Sequence, residues 1–357
     1  MSSLPDTKPA FTGDPQPVPH RVSAPGRVPR TARLQFEPVV SPARWAAACR
    51  ASAQPVTPFH SYAFLSVAAR LTGRQFRPLV VRCAGADVGV VPWLVKSRGP
   101  VNAVTELPFP YVGPLVPREL FGPCLADLWR YGVRSRAVSQ ELQFPPGVDV
   151  DPDVLRASGF RVRTDSTFVL DTRLDIDALW EGMDRETRRK IRKTGRDGVE
   201  LSEAGTGNET LMDVMDALFA RQGPLGYAQP FRLRVEELDR LGLETHCVIA
   251  TRDGVRLGSL LTLLYEGRAL GWVGGVLAEH RSTNANLAMY WEAIRWAHER
   301  SAVSLDMVGA PNAGIGGFKK QFGGQLQEYP VLNRAVPGLV QLEAAADRAK
   351  AVRARRG

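Results

Sequence analysis

The run Gly316-Gly317-Phe318-Lys319-Lys320-Gln321-Phe322-Gly323-Gly324 sets two lysines and two aromatic rings between paired glycines. Glycine lets backbone come close to a ligand. An ammonium held there can stabilise an oxyanion or hold a phosphate, and the rings can keep water from the reacting groups. A glycine-bounded hairpin with solvated lysines is the competing reading of so short a motif.

A second cationic feature lies between Asp175 and Gly198. At helical spacing, Ile176, Leu179, Trp180, Met183 and Ile191 fall on one side and Arg185, Arg188, Arg189, Arg192 and Arg196 on the other. Like charges at i, i+4 repel by a few tenths of a kcal/mol, so helix stability alone does not favour the strip. Arginine forks bind phosphates, and a line of them can follow an RNA backbone or hold a diphosphate. The alternative is a solvated face eased by Glu181 and Glu186.

These features belong to a chain of 357 residues, long enough for two domains. Residues 1–32 are rich in Pro, Ser, Thr and Arg without the apolar core of a secretory signal, which predicts a disordered arm and a cytoplasmic protein. No apolar run reaches the roughly 18 to 20 residues that span a bilayer. Cys49, Cys83, Cys124 and Cys247 form no C-x-x-C pair, and His246, His280 and His298 have no ligand spacing, so no metal site is expected. The formal charge of +9 favours an anionic partner.

Self-similarity organises the rest. The strand pattern Arg77–Arg82, a turn at Ala84–Asp87 and a return over Val88–Val95 repeat as Thr245–Thr251, Arg252-Asp253-Gly254 and Val255–Tyr265. Helical patterns over Leu120–Tyr131 and Asn286–His298 follow, then short strands opening at Arg136 and Ala302. Ser158-Gly159-Phe160 and Gly316-Gly317-Phe318 then each precede a final strand pair. The expectation is an α/β fold of mixed sheets in two copies: residues 33–165, structural or acceptor-binding, and 166–335, catalytic. A basic helical tail is expected over 336–357.

The succession Arg185-x-x-Arg188-Arg189-x-Ile191-Arg192-Lys193, Trp272-Val273-Gly274-Gly275, Asn286-Leu287-x-x-Tyr290-Trp291-x-x-Ile294, Leu305-Asp306 and Phe318-Lys319-x-x-Phe322-Gly323 resembles the Fem-type aminoacyltransferases. It is equally similar to the BioF2-like branch of the GNAT acyltransferases. The resemblance spans roughly residues 35 to 335 and implies tandem GNAT-like domains. It further implies transfer of an amino acid from the ester of aminoacyl-tRNA to an amine, with Lys319 at the position associated with catalysis.

Two departures concern the acceptor. Nothing between Asp171 and Gly207 is long enough for the helical arm of cell-wall Fem enzymes, and the site of their Arg–Tyr pair holds Tyr227 and Phe231, without the cation. A smaller amine or a peptide therefore fits better than a nucleotide-sugar. A third departure concerns the donor. Arg281-Ser282-Thr283-Asn284-Ala285-Asn286 stands where CoA-dependent relatives carry a glycine-rich turn, with Asn at both glycine positions, though Ser282 or Thr283 can cap the helix that follows. That favours a tRNA-borne donor over acyl-CoA.

The expected chemistry is direct attack of the amine on the acyl carbonyl, without a covalent enzyme intermediate or a bound cofactor. Lys319 would stabilise the oxyanion or the leaving ribose oxygen. Asp306 is the candidate for orienting or deprotonating the amine, with Glu279 second, unless Asp306 only caps its loop. Phe318, Lys320, Trp272, Tyr227, Arg281 and Asn284 are the candidates for contacting donor or acceptor, although strand aromatics often belong to the core. The rival functions are acyl-CoA-dependent N-acylation and non-catalytic RNA binding.

Overall fold

The computed structural model describes residues 33–104, 109–204, 209–222, 235–310 and 312–338. The expected arm over 1–32, the expected tail from 339 onward and Tyr227 with Phe231 lie outside the described residues.

The first half runs β1 (Gln35–Pro38), α1 (Pro42–Ala51), α2 (Tyr62–Leu71), β2 (Gln75–Cys83), β3 (Ala86–Arg98), β4 (Val101–Val104), α3 (Phe121–Arg134), β5 (Ala137–Gln143), α4 (Pro152–Ala157) and β6 (Arg161–Leu170). Two helices, α5 (Ile176–Glu181) and α6 (Arg185–Arg196), lead into the second half. That half runs β7 (Glu200–Glu203), α7 (Glu209–Gln222), α8 (Val235–Arg240), β8 (Glu244–Arg252), β9 (Val255–Tyr265), β10 (Arg268–Val276), α9 (Ala285–Glu299), β11 (Ser304–Asp306), α10 (Ala313–Lys320) and β12 (Gln325–Ala335). No helix among the described residues is long and apolar enough to cross a membrane.

These twelve strands form one sheet in the order β1-β2-β3-β4-β5-β12-β6-β11-β10-β9-β8-β7. From either edge the plan is the same: antiparallel neighbours, then one parallel pair, β4 with β5 or β10 with β11, then a strand from the other half. β12 pairs antiparallel with β5, β6 pairs antiparallel with β11, and β6 and β12 pair with each other from Gln325↔Val169 to Asn333↔Arg161. The repeat in the sequence predicts a closing strand pair within each half. The halves instead exchange these strands, which covers both centre edges and leaves β1 and β7 as the sheet edges among the described residues.

The middle of β9 is buried on both faces, so it reads as a continuous apolar run. Leu261 and Leu263 face a core with Trp45, Phe59 and Phe64 of the first half, and Leu260 and Leu264 face α9 through Met289, Ala293 and Ile294. Tight packing also fixes Gly274: a Cβ there would sit 2.3 Å from the Ser259 carbonyl oxygen on the neighbouring strand.

Two local expectations change. The segment Asp175–Gly198 is two helices, broken around Gly182, because the turn at Gly323 seats on it; a Cβ at Gly323 would lie 2.5 Å from the Gly182 carbonyl oxygen. The glycines of the lysine run are likewise not a hairpin. Gly316 and Gly317 lie inside α10, which starts where the Asn312 side chain accepts from the Ile315 N–H at 3.0 Å. The close backbone approach that Gly323 permits is to Gly182, not to a ligand.

Candidate functional site

β10 pairs with β11 only through Arg268, Ala269 and Leu270, and β10 then continues to Val276. Beyond the end of β11 this leaves a cleft of about 700 Å³ between the end of β10, the start of α9 and α10. Five of the expected residues line it: Trp272, Arg281, Asn284, Phe318 and Lys319. Lys190 of α6, Asn286, Tyr290 and Gln321 line it as well. Helical spacing alone assigns Tyr290 to the packing face of its helix. Lys320 is exposed and outside this lining, and Trp272 also packs on Phe59, Phe64 and Phe109, at ring centroid separations of 5.6, 5.0 and 6.0 Å.

Lys319 is 6 % exposed. Its Nζ donates to the carbonyl oxygens of Met307, Val308 and Gly309 at 2.5, 2.6 and 2.5 Å, which occupies all three ammonium protons. Three consecutive carbonyls converge because the chain turns left-handed after β11, with φ of 53° at Val308 and 74° at Gly309. A β-branched residue in that region is an outlier. Bonds to β6 hold it there: Met307 N–H to the Phe168 carbonyl at 3.0 Å, Gly309 N–H to Thr167 Oγ1 at 3.0 Å, and Ala310 N–H to the Ser166 carbonyl at 2.7 Å. Burial pushes the Lys319 pKa down to about 8, while the Asp306 charge pulls it up. The three carbonyl acceptors also favour the charged form, so the amine is protonated at neutral pH.

Asp306 ties the same loop from below. Its Oδ1 accepts from Thr167 Oγ1 at 2.6 Å and from the Val308 N–H at 2.7 Å. Its Oδ2 and the Tyr111 hydroxyl are both buried and outside strict hydrogen-bond geometry, but near enough for Tyr111 to favour the charged carboxylate. Burial pushes the carboxyl pKa up, against the pull of Thr167, the Val308 N–H, Tyr111 and the Lys319 ammonium. Asp306 does not line the cleft that Lys319 lines; it lines a separate crevice of about 480 Å³. The two groups are joined through one residue, since Asp306 holds the Val308 N–H and Lys319 holds the Val308 carbonyl.

The rim of the cleft is built for an anion. Asn284 begins α9 in the left-handed region, φ 57°, and Asn is among the residues that tolerate it. Asn284, and not Ser282 or Thr283, is the N-cap, while the Thr283 hydroxyl takes the Ala285 N–H at 3.3 Å. The positive end of α9, Arg281 and Lys190 thus face one space. Phe318 meets Tyr290 and Phe322 edge-on at 5.3 and 5.4 Å and forms the apolar wall. Burial pushes the Tyr290 phenol up to about 12, leaving it a neutral hydroxyl.

On α6, Thr187 and Thr194 are buried, Arg185, Arg189, Arg192 and Arg196 face outward, and Arg188, expected on the same strip, is largely covered with its Nε buried. Arg188 pairs with Glu181, Arg189 with Glu186 at 2.7 Å, and Arg192 lies over the Trp180 ring at 5.1 Å. Arg185 and Arg196 are exposed and have no carboxylate partner among the described residues. The helix is tied to the lysine run, because the Asp184 N–H donates to the Gln321 carbonyl at 2.9 Å and the Thr187 hydroxyl to Gln321 Oε1 at 2.8 Å.

Residues 182–320 match the family model of the acetyltransferase (GNAT) domain. A search of curated proteins gives no significant match. Among solved structures the fold is similar to that of FemX, at 15 % identity and a TM-score of 0.61, covering 82 % of this chain and 96 % of that one. It is also similar to a tandem GNAT protein from the clavulanic acid biosynthesis pathway, at 17 % identity and a TM-score of 0.56, covering 85 % and 98 %. L-PGS from Bacillus licheniformis follows at 12 % identity and a TM-score of 0.54, covering 88 % and 98 %. The tandem arrangement expected from the sequence is the fold observed.

Proposed function

We propose that this GNAT-type acyltransferase, a tandem repeat of the acetyltransferase fold, forms an amide by moving an amino acid from aminoacyl-tRNA to a small-molecule or peptide amine. The observation that carries the reading is the continuity of cationic surface with a buried lysine. The exposed face of α6 reaches the cleft through Lys190, the start of α9 and Arg281 follow, and Lys319 lies in the lining. A pyrophosphate needs only the inner part of that path, whereas a polynucleotide ending in an acyl ester engages all of it.

In this reading the donor ester carbonyl lies beside Phe318 with its oxygen toward Lys319. The acceptor nitrogen attacks, the C–N bond forms, and the oxyanion replaces one of the three carbonyl acceptors of the Lys319 ammonium. The nitrogen's proton passes to solvent in the cleft. The C–O bond to the ribose then breaks, and Lys319 gives a proton to the leaving oxygen. Lys319 regains its proton from solvent, and the Asp306 charge on the other side of the Val308 peptide favours that protonated form.

The test is tRNA binding at several salt concentrations by the triple variant Arg185→Ala, Arg192→Ala, Arg196→Ala. Every phosphate that the variant no longer neutralises should lower the slope of log K against log salt by about 0.9. A fall of up to about 2.7 with weakened binding is expected; an unchanged slope means the strip is solvated surface. A second reading, acyl-CoA as donor, is favoured by the left-handed turn at Asn284 and by Arg281, which suit a pyrophosphate. Acetyl-CoA binding that the triple variant does not weaken, together with ribonuclease-insensitive product, would favour it.

A further inference from the structure

We infer that the cleft beside Lys319 takes an acyl group with an uncharged, apolar side chain, aliphatic or aromatic, and turns away lysyl and arginyl donors. The inference rests on the aminoacyl-transfer reading and names the class of amino acid that is moved.

The first observation is apolar surface left uncovered around the lysine. Trp272, Ile315 and Phe318 line the cleft and are only half-buried, while Met307, Val214 and Leu287 are buried in the same lining. Ile315 stands one helical turn before Lys319, so the two share a face of α10. Met307 is tied to Lys319 through its carbonyl oxygen. The walls are fixed by their own packing: Trp272 lies edge-on to Phe59, Phe64 and Phe109 of the first half, and Phe318 to Tyr290 and Phe322. A preformed apolar recess beside the group that polarises the carbonyl gains free energy by covering an apolar side chain on the acyl group.

The second observation is the sign of the charge. Lys190, Arg281 and Lys319 line the cleft, and no carboxylate among the described residues lines it with them. Glu186, 3.7 Å from Lys190, and Asp306, which supports the Lys319 charge, both lie outside that lining. A lysyl or arginyl side chain would bring a fourth cation among three, partly out of water and with no anion to meet it. The α-amine that every aminoacyl ester carries is a different case. Its ordinary pKa is about 8 and neighbouring cations lower it, so it can enter neutral. An acidic side chain would draw the Lys319 ammonium away from the reacting carbonyl.

The test holds the tRNA constant and varies only the amino acid. One tRNA species is charged in turn with Leu, Met, Phe, Lys, Arg or Glu, and initial rates of transfer to a metabolite extract are read by mass spectrometry. At least one of Leu, Met and Phe should be transferred, with Lys, Arg and Glu each more than about tenfold slower. Ile315→Glu places a carboxylate in the recess at the third position of α10, where an acid suits a helix start. It should narrow the gap between the apolar donors and Lys by about tenfold or more. Transfer of Lys, Arg or Glu within tenfold of the best apolar amino acid overturns the inference and leaves the transfer reading standing. A folded Ile315→Glu with wild-type preferences also overturns it; should that variant fail to fold, the wild-type series decides. If no amino acid is transferred, the transfer reading fails. Calorimetric titration of the full chain with stable leucyl and lysyl amides of 3′-amino-3′-deoxyadenosine then decides: binding of the leucyl form more than about tenfold tighter upholds the apolar recess, and a smaller difference or no binding overturns it.

Discussion

Lys319→Met is expected to lower kcat by about 100- to 1000-fold, the usual consequence of removing one group that stabilises an oxyanion. Methionine keeps much of the volume but has no proton to offer the carbonyls of Met307, Val308 and Gly309, so one buried and two half-buried acceptors are left without their donor. That costs stability too, about 1 to 3 kcal/mol for an unsatisfied buried group. Activity is therefore to be read in single-turnover experiments on the folded fraction, fixed by near-UV circular dichroism. A rate within threefold of wild type would show that the ammonium only shapes the loop.

Asp306→Asn separates charge from shape. Asn can still accept from Thr167 and from the Val308 N–H through its oxygen, so the loop after β11 should persist and stability should stay within about 1 kcal/mol of wild type. The charge that supports the Lys319 ammonium is removed, and kcat should fall most at pH 8 and above. The pH profile should move as well. If the ammonium is the active form, wild-type activity falls as pH rises through the Lys319 pKa of about 8. The Asp306 charge supports that pKa, so the alkaline limb of Asp306→Asn should lie at lower pH. A merely structural Asp306 would leave the limb in place.

The same depressed pKa has a consequence for folding. Between about 8 and the ordinary lysine value of 10.5 the unfolded chain binds the proton that the folded chain releases, so stability attributable to Lys319 rises with pH across that window. Activity and this part of stability thus change in opposite directions above pH 8.

The lysine run and the arginine strip were legible in the sequence because their residue types are unusual in combination. Lysines between rings and glycines, and arginines along one helical face, stand out without any fold. The repeat was legible through its hairpins and helices. The exchange of β6 and β12 was not, since both are strands of similar length, and nothing local states which neighbour a strand will choose. The nature of α10 was hidden by Gly316 and Gly317, which read as a turn; the Asn312 cap and packing across Ala310 and Phe168 override that. The carbonyl cage around Lys319 depends on a left-handed Val308, a conformation that residue-by-residue preferences argue against.

Transfer of radiolabelled amino acids from a charged tRNA pool to a metabolite extract, followed by mass spectrometry of the products, tests the central claim most directly. Wild-type protein should give an amide product that pretreatment with ribonuclease abolishes and that Lys319→Met makes at least about 100-fold more slowly. Product that survives ribonuclease, or that forms at the wild-type rate without the Lys319 ammonium, would contradict it.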